Sequence, residues 1–240
     1  MEHESVRRSL IKGAAWAAPA AVIAVAAPAV AASAPCGSYA VEFWDFGAGT
    51  TGQLSNPARY SVGNFVLEVE NSGSTEQAGN FYANNGAGDL ASSPGAYPGA
   101  LRLRSRQGQD SDSTPQTVAF KFSRPVRDLS FSIRDIDNDI PRNDPLGLQS
   151  AFSDRVSITG SSPRPDGVTR GERLQGQGTD SDPWRTSDNG NQGPDSRYDV
   201  SLTWSGPVSE VSVRYWQGIR TRRGAAPAIW IDRLRFTLPC

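Results

Sequence analysis

In three runs of this chain an aspartate stands where an alternating apolar row meets a turn. Asp135 continues the phase of Leu129, Phe131 and Ile133, and Asp137 follows two residues on. Asp154 precedes Val156 and Ile158 in their phase, and Asp232 precedes Leu234, Phe236 and Leu238 in theirs. A carboxylate aimed at the edge of a core costs several kcal/mol unless something compensates its charge. Calcium is one compensator, because it takes hard oxygen ligands from several chain segments, and Asp135, Asp137, Asp154 and Asp232 are the candidate ligands. The alternative is that each aspartate caps a turn, accepts backbone amides or pairs with an arginine such as Arg134, Arg155 or Arg233. Asp137-Asn138-Asp139 does not complete an EF-hand loop, since the glycine and closing glutamate are missing.

The rest of the catalytic repertoire is narrow. His3 is the only histidine, so the chain beyond it has no imidazole for a Ser-His-Asp or Cys-His mechanism, a His-containing zinc site or a His-ligated haem. A carboxylate pair, as in glycoside hydrolysis, is the chemistry left open. The expectation is therefore a protein that is not an enzyme and requires no cofactor, with structural calcium as the one candidate ion.

Binding surfaces are the other source of function. Sugar sites stack a pyranose on an exposed aromatic face beside polar groups that fix its hydroxyls. Trp216 has the opposite parity to Val213 and Tyr215 and is expected to point outward, with Arg214 and Arg220 beside it in sequence. Trp184 lies in a polar loop and Tyr97 in a Gly-Pro loop, whereas Trp44 and Trp204 read as core. Arg102, Arg104 and Arg106 alternate with Leu101 and Leu103 as a row of outward cations. Beside Trp216, such a row would favour an anionic polymer; alone it is a solvated sheet face or a protected edge.

These residues must be held by strands. Period-two alternation recurs at Tyr39, Val41 and Phe43; Phe65, Leu67 and Val69; Leu101 and Leu103; Val118, Phe120 and Phe122; Leu129, Phe131 and Ile133; and Val156 and Ile158. It continues at Tyr198, Val200, Leu202 and Trp204, then Val211, Val213 and Tyr215, then Leu234, Phe236 and Leu238. No amphipathic helix of useful length interrupts them. Ser123-Arg124-Pro125 and Ser205-Gly206-Pro207 read as tight turns between antiparallel neighbours, while residues 71–99, 107–115, 137–153 and 160–196 read as long polar loops. The fold class predicted is an all-β antiparallel β-sandwich, jelly-roll-like, preceded by an N-terminal signal segment.

That segment carries Arg7-Arg8-Ser9-Leu10-Ile11-Lys12 and then an Ala-rich apolar run over residues 14–32. It resembles a twin-arginine leader of the kind found on secreted actinobacterial proteins, with Arg7 and Arg8 as the export signal. The high alanine content, Pro19, Pro28 and the small residues Ala29-Val30-Ala31 favour a cleaved leader over a retained anchor, the alternative. Residues 1–34 are read as signal peptide and cleavage region, and residues 35–240 as one secreted domain. No stable transmembrane helix is expected after cleavage, and the export machinery is an implied partner. About 205 residues are enough for one sandwich with a sizeable core.

The chain has 24 Lys and Arg against 25 Asp and Glu, a formal net charge of −1, which excludes a bulk electrostatic binder of nucleic acid. Its two cysteines, Cys36 and Cys240, stand at the start of the mature part and at the last residue. In an oxidising compartment they are expected to form a disulfide that staples the first strand to the last.

The segments Leu129-Ser130-Phe131-Ser132-Ile133-Arg134-Asp135-Ile136-Asp137, Asp154-Arg155-Val156-Ser157-Ile158-Thr159, Val211-Ser212-Val213-Arg214-Tyr215 and Ile231-Asp232-Arg233-Leu234-Arg235-Phe236 carry a further resemblance. Together they are similar to an uncharacterised family of bacterial surface β-sandwiches, itself similar to galactose-binding-like and carbohydrate-binding modules. The resemblance implies a sandwich, calcium-supported in some relatives, with a non-catalytic adhesive or glycan-binding role. The function expected is a secreted or cell-envelope-associated binding or adhesion module whose partner is a cell-envelope glycan or surface polymer. The alternatives are a structural surface protein and a carboxylate-based glycan-active enzyme.

Overall fold

Alternation along the strands becomes a two-faced sheet in the computed structural model. The structure describes residues 36–46, 54–73, 81–83, 97, 99–104, 115–140, 151–160, 163–189, 195–219 and 227–240. All of them belong to the compact unit Ala32–Cys240. The expected leader, with Arg7 and Arg8, lies outside the described residues.

Fifteen strands are present among these residues. They are β1 (Gly37–Val41), β2 (Ala58–Val62), β3 (Phe65–Ser72), β4 (Phe81–Ala83), β5 (Leu101–Arg104), β6 (Gln116–Arg134), β7 (Asn138–Asp139) and β8 (Phe152–Thr159), followed by β9 (Gly167–Arg170), β10 (Leu174–Gln175), β11 (Arg185–Thr186), β12 (Val200–Trp204), β13 (Val208–Gln217), β14 (Ala228–Ile231) and β15 (Leu234–Leu238). Short 3-10 turns at Phe43–Phe46 and Ser196–Tyr198 take up Phe43 and Tyr198, which alternation had assigned to strands.

Strand β6 organises the fold. Its first half pairs with β3 on one side and β13 on the other, through Phe120 opposite Val69 and Val211. Its second half pairs with β12 on one side and with β14 and β15, end to end, on the other. Ser123-Arg124-Pro125 is therefore not a tight turn between two neighbours. It is the bend at which one strand passes from the first sheet to the second, where Pro125 has no N–H to give the ladder.

A bulge follows immediately. Arg127 and Asp128 are both exposed, Asp128 has φ +50°, and the β15 register slips there, with Thr237 opposite Arg127 but Arg235 opposite Ser130. The extra residue changes the inward parity from Val118, Phe120 and Phe122 to Leu129, Phe131 and Ile133, so both halves of β6 face the core.

Strands β12 and β13 run back along β6 through the matching bend at Ser205-Gly206-Pro207. Both sheets thus belong to one antiparallel assembly of thirteen strands folded over onto itself as a sandwich.

Aromatic residues from opposite sheets meet inside. Phe65 lies 5.4 Å from Phe236 and Phe120 5.8 Å from Phe131, while within the second sheet Phe131 stacks on Trp204 of the neighbouring strand at 5.4 Å. Each such ring contributes roughly 1.5–3 kcal/mol by burial, and Phe120→Ala would cost about 3–5 kcal/mol with its cavity.

Strand β1 pairs antiparallel with β15 from Gly37 opposite Leu238 to Val41 opposite Leu234. This register brings Cys36 and Cys240 to disulfide-bonding distance, with Cα atoms 4.9 Å apart. The staple therefore joins the first and last strands, as their sequence positions implied. Among the described residues no helix is long and apolar enough to cross a membrane.

Candidate functional site

The aspartates occupy one end of β6 and its neighbours, but not as one cluster. Asp232 follows β14 and is claimed by arginine: Arg134 Nη2 donates to its Oδ2 at 2.8 Å, and the Arg233 amide donates to its Oδ1 at 2.8 Å. The other arm of Arg134 donates to Asp199 Oδ2 at 2.8 Å. Burial works against the Asp232 charge, but these donors outweigh it and hold the carboxyl below its ordinary range.

Asp154 is fully buried at the start of β8. Its Oδ1 accepts from the Tyr215 hydroxyl and from Gln217 Nε2, each at 2.8 Å, and its Oδ2 accepts from the Asp137 amide at 3.3 Å. Burial pushes its pKa up to about 7 despite these donors. With no solvent exposure, Asp154 cannot reach a polymeric substrate.

Asp135 departs from the inward row altogether. Its backbone is left-handed, φ +67°, so the next core residue after Ile133 is Ile136, and alternation no longer puts Asp135 and Asp137 in that row. The Asp135 amide donates to Asp199 Oδ1 at 3.2 Å. Burial, then the Asp199 charge, pushes the Asp135 carboxyl up to about 6, and a hydrogen bond from Trp230 partly offsets this.

Among the described residues no group of three or more Asp, Glu, His or Cys side chains is placed to hold a metal ion. Of the candidate ligands Asp135, Asp137, Asp154 and Asp232, the structure joins Asp137 to Asp154 through its amide and turns Asp232 to Arg134. Asp232 is an arginine partner and turn cap, and Asp154 is a buried acceptor for strand β13.

The aromatic candidates are also rearranged. Trp216 lies on the outer face, as parity required, but it is only 8 % exposed: the Arg214 guanidinium sits 5.0 Å from its ring, and Arg155 is its cross-strand partner. It is not an open stacking platform. Trp184 is 2 % exposed and packs with the core. Trp44, assigned to the core by its sequence context, is 42 % exposed, whereas Trp204 is buried as expected.

The arginine row fails as well. Arg102 is buried, with its guanidinium 6.0 Å from the Trp230 ring, its cross-strand partner. Tyr97 lies between the Trp230 ring, tilted by 45° with its centroid 6.0 Å away, and the Arg134 guanidinium, 5.4 Å away. Arg106 and Arg220 lie outside the described residues.

Trp184 has a different task, which is to build the wall of a cleft. Its amide and carbonyl bond to Val156 at 2.8 and 3.1 Å, and the Gly178 carbonyl accepts from the Ile158 amide at 2.9 Å, so this segment lies along the edge of β8. Gly178, at φ +70°, passes so close over the Trp184 ring that any Cβ would overlap it. Strands β10 and β11 close the base of the loop.

The tip of the loop, Thr179, Asp180 and Ser181, faces Ile158, Thr159, Gly160 and Arg164 across a cleft of about 340 Å³. Asp180 is held in place from the sheet, accepting from the Ser157 hydroxyl and pairing with Arg214 at 3.2 Å. The cleft therefore adjoins the Arg214 and Trp216 pair that sequence reasoning singled out.

Arg164, Thr179, Asp180 and Ser181 themselves were missed, because residues 160–196 read as one polar loop. The available signal was Leu174 and Trp184, two apolar anchors flanking Gly176 and Gly178, a spacing that folds a segment back on itself. Comparison with family models, with curated proteins and with solved structures found no match for this chain.

Proposed function

We propose that this protein is a secreted or cell-envelope-associated glycan-binding module without catalytic activity, exported through the twin-arginine route, and that the cleft beside β8 is its binding site. The observation that carries the reading is the cleft itself. Its volume of about 340 Å³ sits at the low end of the roughly 300–1,000 Å³ typical of small-molecule sites, matching a short stretch of sugar. Its lining supplies what sugar hydroxyls need: Thr159, Thr179 and Ser181 donate and accept, Asp180 accepts, and Arg164 donates.

The site is also prepared in advance. Trp184 and the Ser157 and Arg214 contacts fix Asp180 before any ligand arrives, which lowers the ordering cost of binding. The test is a glycan-array screen of the protein, with and without added calcium, beside a variant whose cleft is filled by Ser181→Trp. Binding that Ser181→Trp abolishes supports the reading; absence of any glycan binding overturns it.

A further inference from the structure

The geometry points to an acidic glycan as the ligand: a saccharide carrying a carboxylate or phosphate group, bound by Arg164 across the cleft from Asp180. The inference rests on reading the cleft as the glycan site and deepens that reading.

Among the described residues the cleft offers no aromatic face. Its walls are Ile158, Thr159, Gly160, Arg164 and the tip of the loop at residues 179–181, while Trp184 and Trp216 are both covered. A neutral sugar placed here would exchange hydrogen bonds with water for hydrogen bonds with hydroxyls and gain little net affinity. A charged partner changes that, because hydrogen bonds to an ion are roughly twice as strong as neutral ones.

The charges in and beside the cleft are not balanced. Asp180 is neutralised by Arg214 at 3.2 Å, and its other oxygen accepts from Ser157. Arg164 is exposed, and no acidic partner pairs with it among the described residues. Of the two charged residues that line the cleft, Asp180 is paired with Arg214, and Arg164 is left as a cation without an acidic partner among the described residues. That charge sits on a planar guanidinium, whose donor fork matches a carboxylate or a phosphate bidentately. The hydroxyls of Thr159, Thr179 and Ser181 line the same cleft, those of Thr179 and Ser181 bonded to each other at 3.2 Å and exposed to take ring hydroxyls of the same sugar unit.

Two substitutions move the preference in opposite directions. Arg164→Gln removes the unpaired cation and should weaken binding of an acidic oligosaccharide about tenfold, and of a neutral one less, because the glutamine amide still donates to a hydroxyl. Asp180→Asn releases Arg214 from its partner while keeping an acceptor for Ser157. It should therefore strengthen acidic binding.

The experiment is calorimetric titration of the protein with an oligogalacturonate, with the fully methyl-esterified form of the same oligomer, and with a phosphorylated oligomannoside. Preference for a charged oligomer, weakened by salt and removed by Arg164→Gln, supports the proposal. The carboxylate and phosphate probes then identify the anion. Equal binding of the acid and its neutral ester, or a preference that survives Arg164→Gln, overturns the acidic assignment while leaving the glycan reading in place. Failure of all three oligomers together with an empty glycan array overturns both.

Discussion

Gly178 passes over the ring of Trp184 with no room between them for a side chain. The left-handed backbone at φ +70° and the indole below it set the height of the cleft wall. Gly178→Ala should lift the loop off Trp184 and strain the backbone at once, costing about 1–3 kcal/mol in urea unfolding. Because Thr179, Asp180 and Ser181 ride on that loop, the same variant should also lose glycan affinity. Unchanged stability would mean that Trp184 does not support the wall.

Stability should rise as the solution becomes mildly acidic. Asp154 and Asp135 keep their protons up to about pH 7 and about pH 6 in the fold, chiefly through burial, against an ordinary value of 3.8. The native chain therefore binds more protons than the unfolded chain between roughly pH 4 and pH 7. The gain is complete below the unfolded value and is lost as pH climbs through the folded one. Asp232 is shifted the other way, and its contribution fades only below its ordinary value, outside this window. Chemical denaturation at pH 5 should give roughly 4 kcal/mol more stability than at pH 8. Asp154→Asn should flatten that slope, and a slope of opposite sign would contradict the account.

Arg134 bridges Asp199 and Asp232, 2.8 Å from each. Its removal leaves two partly buried carboxylates without their cation, so Arg134→Met should destabilise by about 1–3 kcal/mol. Asp232→Ala should cost less, since Arg134 then keeps Asp199. A double-mutant cycle on Arg134 and Asp232 measures the coupling, and additivity of the two changes would show that the bridge carries none.

The bond between Cys36 and Cys240 closes a loop with a sequence separation of 204. Chain-entropy reasoning gives such a loop on the order of 4–5 kcal/mol, through the unfolded state. Reduction should leave the sandwich folded but lower its melting temperature, and non-reduced peptide mapping should recover one linked pair from the two ends. Free thiols on protein kept under oxidising conditions would contradict this.

What the sequence made legible was the alternation. Phe65 and Leu67, Phe120 and Phe122, and Phe131 and Ile133 are buried where period two put them, because each residue reports its own face of a sheet. Long-range facts were not legible. Nothing local distinguishes the Arg124-Pro125 bend of one continuous β6 from a turn between two strands, since the difference lies in whether the flanking segments pair with each other or with β13 and β12. Parity failed at Asp135 because one left-handed residue resets the phase.

For Trp216, parity found the correct face but could not foresee that Arg214 covers it. The cleft was hidden for a similar reason. Its two walls, at Arg164 and at Thr179 to Ser181, are brought together by Trp184 docking on β8, a contact that carries no periodic signature.

The most direct test of the central claim is titration of the protein and of its Ser181→Trp variant with the tightest-binding oligosaccharide from the array. The account predicts saturable one-site binding by the parent chain and none by the variant, with both equally stable to urea. Binding of equal affinity by the two proteins would place the glycan site elsewhere and contradict the account.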